Sequence, residues 1–167
     1  GNFSGRINMN LREANGYAYG AYSQFIFRKL GGWFQAGGAV RTDATLPATQ
    51  EVLKEIRGMN EAMPAAELSR VKDTLSRSLA AAFETGADAA GSFSNVYIYG
   101  LGLDYYSRYV ASVNAVTTEQ AVAMARKYFT VNNLVVVAVG DRGKIEPELR
   151  SLGLPVEIRD SDGRLVN

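Results

Sequence analysis

The sequence predicts an α+β domain, and three stretches carry that prediction. Tyr17 to Phe27 and Trp33 to Thr42 are aromatic-rich segments around Lys29-Leu30-Gly31-Gly32, the pattern of two antiparallel strands joined by a glycine turn. Leu68, Val71, Leu75, Leu79, Ala82 and Phe83 recur at helical spacing, with Glu67, Arg70, Lys72, Asp73 and Arg77 on the opposite side. Leu134–Val139 is an unbroken apolar run, too short for a bilayer and without polar alternation. Such a run is expected as a strand covered on both faces.

The remaining elements follow in order. Ser4 to Ala14 reads as the end of a helix, with Ile7 and Leu11 on one face and Arg12 in the last turn. Asn15-Gly16 tolerates left-handed backbone and stops it. The first strand starts at once, so Arg12 and Tyr19 set a guanidinium and a phenol on either side of one sharp bend. Inside the second strand, Gly37-Gly38 predicts a bulge or a close backbone approach.

Thr45-Leu46-Pro47 starts a helix whose stripe is Val52, Leu53, Ile56, Met59 and Met63. Pro64 breaks it and begins the amphipathic helix already named. Thr85-Gly86 is a joint, followed by helices over Ala87–Tyr99 and Asp104–Val113. Thr117 with Gln120 has capping-box spacing ahead of Ala121, Val122, Ala125, Tyr128 and Phe129. A short helix over Glu146–Leu152, a last strand at Val156-Glu157-Ile158 and a polar turn at Asp160-Ser161-Asp162-Gly163 complete the chain.

Composition removes several function classes. The 167 residues suit a single domain, and 18 Lys+Arg against 17 Asp+Glu leave a net charge of +1. That balance offers no electrostatic case for nucleic acid or an anionic membrane. Cysteine is absent, which removes disulfides and thiolate zinc sites. Histidine is absent too, and with it the usual zinc ligand and general base. Ser92 and Ser94 therefore have no partner for a Ser-His-Asp triad. Gly100-x-Gly102 lacks the strand–loop–helix context of a phosphate loop. Tyr97, Tyr99, Tyr105, Tyr106 and Tyr109 lack the basic patch that base stacking would need, so packing is the better reading.

One ordered series of motifs points further. Leu11-Arg12-Glu13, Gly16, Ala18 and Tyr19 resemble the start of the inactive-half domain of the insulinase/pitrilysin-like zinc metalloproteases, the group with an inverted H-x-x-E-H motif. The likeness continues in the family's order through Phe34, Arg41-Thr42-Asp43, Phe83-Glu84-Thr85, Tyr97-Ile98-Tyr99-Gly100-Leu101 and Leu103-Asp104-Tyr105-Tyr106. Ala115-Val116-Thr117, Ala125-Arg126-Lys127-Tyr128 and Asn133-Leu134-Val135-Val136-Val137 extend it across nearly the whole chain.

The resemblance implies a mixed β-sheet covered on one side by helices and truncated at its N-terminus. Residues 1–167 would form one C-terminal-type domain of a larger protein. The opening Gly-Asn-Phe, with no initiator methionine or signal peptide, agrees with that expectation. The implied function is the non-catalytic half of a zinc metallopeptidase that encloses and orients peptide substrates. Arg12 and Tyr19 are the implied catalytic pair, stabilising substrate and transition state through substrate carbonyls, and Tyr17 is expected to share their surface. The chemistry suits the role, since arginine is a fixed-charge donor fork and a phenol donates to a carbonyl or developing oxyanion. Without the resemblance, a dipole-complementing arginine and a strand tyrosine explain the same residues.

No metal and no cofactor is expected on this chain. Zinc is expected on a homologous zinc-bearing domain or subunit, so the chain alone is expected to be inactive. Glu67, Glu84 and Asp88, where a catalytic half would carry its zinc motif, are expected only as solvated or ion-paired groups. Peptide substrate and that partner are the expected contacts, with no nucleic acid, no membrane, and self-association of the isolated chain. The expected setting is periplasmic or otherwise exported, with the cytoplasm as the other. A second reading from the same resemblance is a non-proteolytic structural or assembly subunit.

Overall fold

The computed structural model describes residues 4–166, and the opening Gly-Asn-Phe lies outside them. Helix α1 (Arg6–Asn8) passes directly into a π-helix, Met9–Ala14. The wider winding shows in the Asn15 N–H, which donates to the Asn10 carbonyl at 3.1 Å. At the stop, Gly16 N–H reaches Arg12 O and Tyr17 N–H reaches Leu11 O, at 3.2 and 2.7 Å. Each bond runs one residue further back than in an α-helical Schellman end. Gly16 has φ +62°, the left-handed backbone the sequence predicts there.

Strands β1 (Ala18–Arg28) and β2 (Gly31–Val40) form a two-stranded sheet. A Cβ on Gly32 would stand 2.5 Å from Ile26 O, and one on Gly38 would stand 2.7 Å from Gly20 O. These contacts put Gly32 opposite Phe27 and Gly38 opposite Ala21, the register of an antiparallel hairpin with a Lys29-Leu30 loop. The close approach predicted for Gly37-Gly38 is found at Gly38. The turn glycines are corrected: Gly31 and Gly32 belong to β2, and neither has positive φ. Gly32 is there because the chains touch, not because the turn needs left-handed backbone.

A 3₁₀ turn (Thr42–Ala44) leads into α2 (Thr45–Gly58). Then come α3 (Ala65–Ala81), α4 (Gly86–Tyr99), α5 (Tyr105–Ala115), α6 (Thr118–Tyr128) and α7 (Arg142–Arg150). The predicted capping box is present, with Thr117 Oγ1 accepting from Gln120 N–H and Gln120 Oε1 accepting from Thr117 N–H.

The chain divides into two compact units. The first comprises Gly1–Gln24, Gln35–Glu55 and Leu134–Asn167. Its core is Ile7, Leu11 and Ala48, with Tyr17, Ala18, Ala21, Ala36, Val40 and Val52 packed against it. Leu11 is 1% exposed. Helix α7 lies against the Thr42–Ala44 turn.

The second unit comprises Phe25–Phe34 and Ile56–Asn133. Phe25, Phe34 and Phe129 meet there, with the Phe34 and Phe129 rings 4.7 Å apart edge-on. Phe83 packs edge-on against Tyr106 at 5.0 Å, and Tyr106 OH donates to Ser92 O. Helix α3 keeps the predicted stripe, yet none of its residues is buried.

The α+β class holds, but the expected mixed sheet is corrected: among the described residues the sheet is the β1–β2 pair. Leu134–Val139 carries no strand pairing, and Val135, Val137 and Val139 are 85%, 81% and 96% exposed. The run has strand composition, but no described segment supplies the ladder that makes a strand. Val156-Glu157-Ile158 likewise shrinks to a single Arg159–Leu165 bridge around the predicted polar turn. The last helix begins at Arg142 rather than Glu146, because Asp141 caps it through Gly143 N–H at 3.1 Å.

Candidate functional site

The Arg12 side of the site is built by the π-helix. Asn10 Nδ2 donates to Glu51 Oε2 and Glu55 Oε1 on α2, both at 2.7 Å, and Asn15 Nδ2 donates to Asn10 Oδ1 at 2.8 Å. This tie anchors the helix that presents Arg12. Lys54 and then Asn10 hold the Glu51 carboxyl below its ordinary range.

The bend between the two residues is held from β2's end. Arg41 N–H donates to Tyr17 O, and Arg41 Nη1 donates to Gly16 O, both at 3.1 Å. Asp43 pairs with Arg41 Nε at 3.1 Å, which raises the guanidinium's pKa and lowers the carboxyl's. Residue type alone gave no hint that Arg41 would clasp this turn.

Across the bend, Arg12 Cζ lies 5.4 Å from the centroid of the Tyr19 ring, within cation–π range. Arg12 Nε is 3.3 Å from Glu13 Oε1, and its side chain is 31% exposed. Tyr19 is 92% exposed, so its phenol stands in solvent. The structure therefore brings Arg12 and Tyr19 together. Tyr17 immediately precedes β1 and packs, partly buried, on the Ile7–Leu11–Ala48 core.

Residues 1–75 match the family described as the peptidase M16 inactive domain. The solved peptidase M16 inactive domain from Pseudomonas fluorescens superposes with a TM-score of 0.69 over 77% of this chain, at 24% identity. The chain carries the fold of a peptidase M16 inactive domain. It spans 31% of the length of that solved structure. Comparison with curated proteins finds no match. The insulinase-like resemblance read from the ordered motifs agrees with both matches.

An M16 fold raises the question of zinc, and this chain's residues do not fit it. Histidine and cysteine are absent. Among the described residues, no group of three or more carboxylates is arranged to hold a metal ion. Of the carboxylates singled out above, Asp88 is engaged locally, accepting from Thr85 Oγ1 at 2.6 Å at the start of α4. Glu67 lies in the first turn of α3, and Glu84 is exposed beyond that helix's end.

Most of the tyrosine cluster is likewise occupied with packing, whereas Tyr97 is exposed. Tyr105 meets Tyr106 and Tyr109 edge-on, and Tyr99 OH donates to Phe27 O at 3.2 Å. Burial pushes the Tyr109 phenol's pKa up. Ser92 Oγ donates to Ala82 O, tying α4 to the end of α3, and Ser94 Oγ donates back to Ala90 O within α4.

Proposed function

We propose that this chain is the non-catalytic half of a zinc metallopeptidase and helps to enclose and orient peptide substrates. In this reading Arg12 and Tyr19 donate to substrate backbone carbonyls, opposite a zinc site on another domain or subunit. The observation that supports it most is the approach of Arg12 to within 5.4 Å of the ring of a phenol that is itself open to solvent. A fixed guanidinium beside an exposed hydroxyl is a donor pair suited to a carbonyl or to the oxyanion it becomes. A buried pair would serve only packing.

Reconstitution tests the proposal. A homologous half bearing H-x-x-E-H, mixed with this chain, should cleave a fluorogenic peptide on the order of a hundredfold faster than either part alone, the scale of lost transition-state donors. A mixture that assembles but cleaves nothing would place the chain with structural or assembly subunits. A zinc-bearing half fully active by itself would leave the chain no role in substrate handling.

A further inference from the structure

Asn8 is the polar side chain most removed from solvent in the first unit, at 3% exposed. It sits at the end of α1, immediately before the π-helix that carries Arg12. Its Oδ1 accepts the backbone N–H of Ala21 in β1 at 2.8 Å, thirteen positions along the chain. The hairpin register explains why that N–H is available. Ala21 stands opposite Gly38 in a close pair whose amides point outward, so β2 does not use the Ala21 N–H. A Cβ on the neighbouring Gly20 would come to 3.9 Å from the same Asn8 oxygen, an ordinary contact.

Between these two ends lie both residues of the proposed pair. The chain leaves Asn8, passes Arg12, reverses at Gly16, passes Tyr19 and returns to Asn8 at Ala21. The bond therefore closes a loop around the site, linking the Arg12-bearing helix to the Tyr19-bearing strand. We propose that Asn8 is a positioning residue: its clasp on Ala21 fixes β1 against the helix and so sets the approach of Tyr19 to Arg12. What that approach does for a peptide rests on the function proposed above, whereas the clasp itself does not.

The test uses the 167-residue chain alone, by NMR, without peptide or partner. The Arg12 side-chain protons should carry an upfield ring-current shift, which Tyr19→Leu identifies by removing it. Asn8→Leu keeps the size and loses the acceptor, so it should erase at least half of that shift. It should also speed exchange of the Ala21 amide by about tenfold or more, the loss of one hydrogen bond. Asn8→Asp keeps an acceptor oxygen and should retain both signals.

An Asn8→Leu chain that keeps its fold and the full Arg12 shift overturns the proposal. Should Asn8→Leu fail to fold, the wild-type chain decides, because an Ala21 amide exchanging as fast as in an unstructured peptide overturns the clasp directly. None of these readings depends on peptidase activity. Failure of the clasp and failure of the proposed function are therefore separate results.

Discussion

Gly16 and Gly38 are the positions where a single methyl group would do most damage to the site. Gly16 holds φ +62°, a conformation that costs other L-residues about 1–2 kcal/mol. Gly16→Ala should lower unfolding free energy by about that amount. Gly38→Ala would drive a Cβ to within 2.7 Å of a backbone oxygen, with the overpacking penalty of about 1–3 kcal/mol. Urea titrations measure both, and unchanged midpoints would contradict the assigned geometry. At this scale the sequence was legible where chemistry is local. Glycine after a helical stretch announces a left-handed stop, and that alone places Arg12 and Tyr19 on one bend. Asn8 and Arg41 were not legible, because an oxygen or guanidinium seeking a distant backbone group leaves no mark in neighbouring residues.

At the scale of elements, caps were readable and hydrogen-bond phase was not. Thr117 and Gln120 carry their capping box in their spacing, and it is present. The π-helix of Met9–Ala14 has no such signature, since its residues would suit an α-helix equally well. What fixes it in space is the Asn10 amide shared between Glu51 and Glu55. That tie has a pH dependence. Glu51 is held below its ordinary 4.5 by Lys54 and Asn10, so its stabilisation is complete above that value. It is lost as pH falls through the lower folded pKa. Melting temperatures recorded from about pH 6 to about pH 3 should therefore fall less steeply for Glu51→Gln than for the wild type. Parallel curves would contradict the assignment. Leu134–Val139 is the opposite lesson: β-branched composition states a preference, while pairing needs a partner strand.

For the whole molecule, fold class was visible in the sequence, and so was the resemblance that the M16 inactive-domain comparisons support. Sheet size was not. The mixed-sheet expectation required ladders between distant segments, and residue pattern alone cannot supply their register. One consequence is physical: Val135, Val137 and Val139 stand in solvent on a run with no charge and no pairing. Exposed apolar segments of that kind associate. Sedimentation of the isolated chain should show concentration-dependent self-association with binding of a hydrophobic dye, and Val137→Lys should weaken both. A clean monomer that binds no dye would contradict this.

The claim at the centre of the account is that the exposed Tyr19 hydroxyl, set by Arg12, contacts the substrate of a zinc-bearing partner. The most direct measurement is kcat/KM of the reconstituted assembly with Tyr19→Phe, alongside Arg12→Ala and Arg12→Lys. Tyr19→Phe removes one donor and should lower kcat/KM by about ten- to a thousandfold. Arg12→Ala should do similar damage, with poor recovery in Arg12→Lys because a point charge does not reproduce the fork. Zinc content and melting temperature should stay at wild-type levels throughout. Full activity in Tyr19→Phe, or activity lost only in step with unfolding, would contradict the account and make the pair structural.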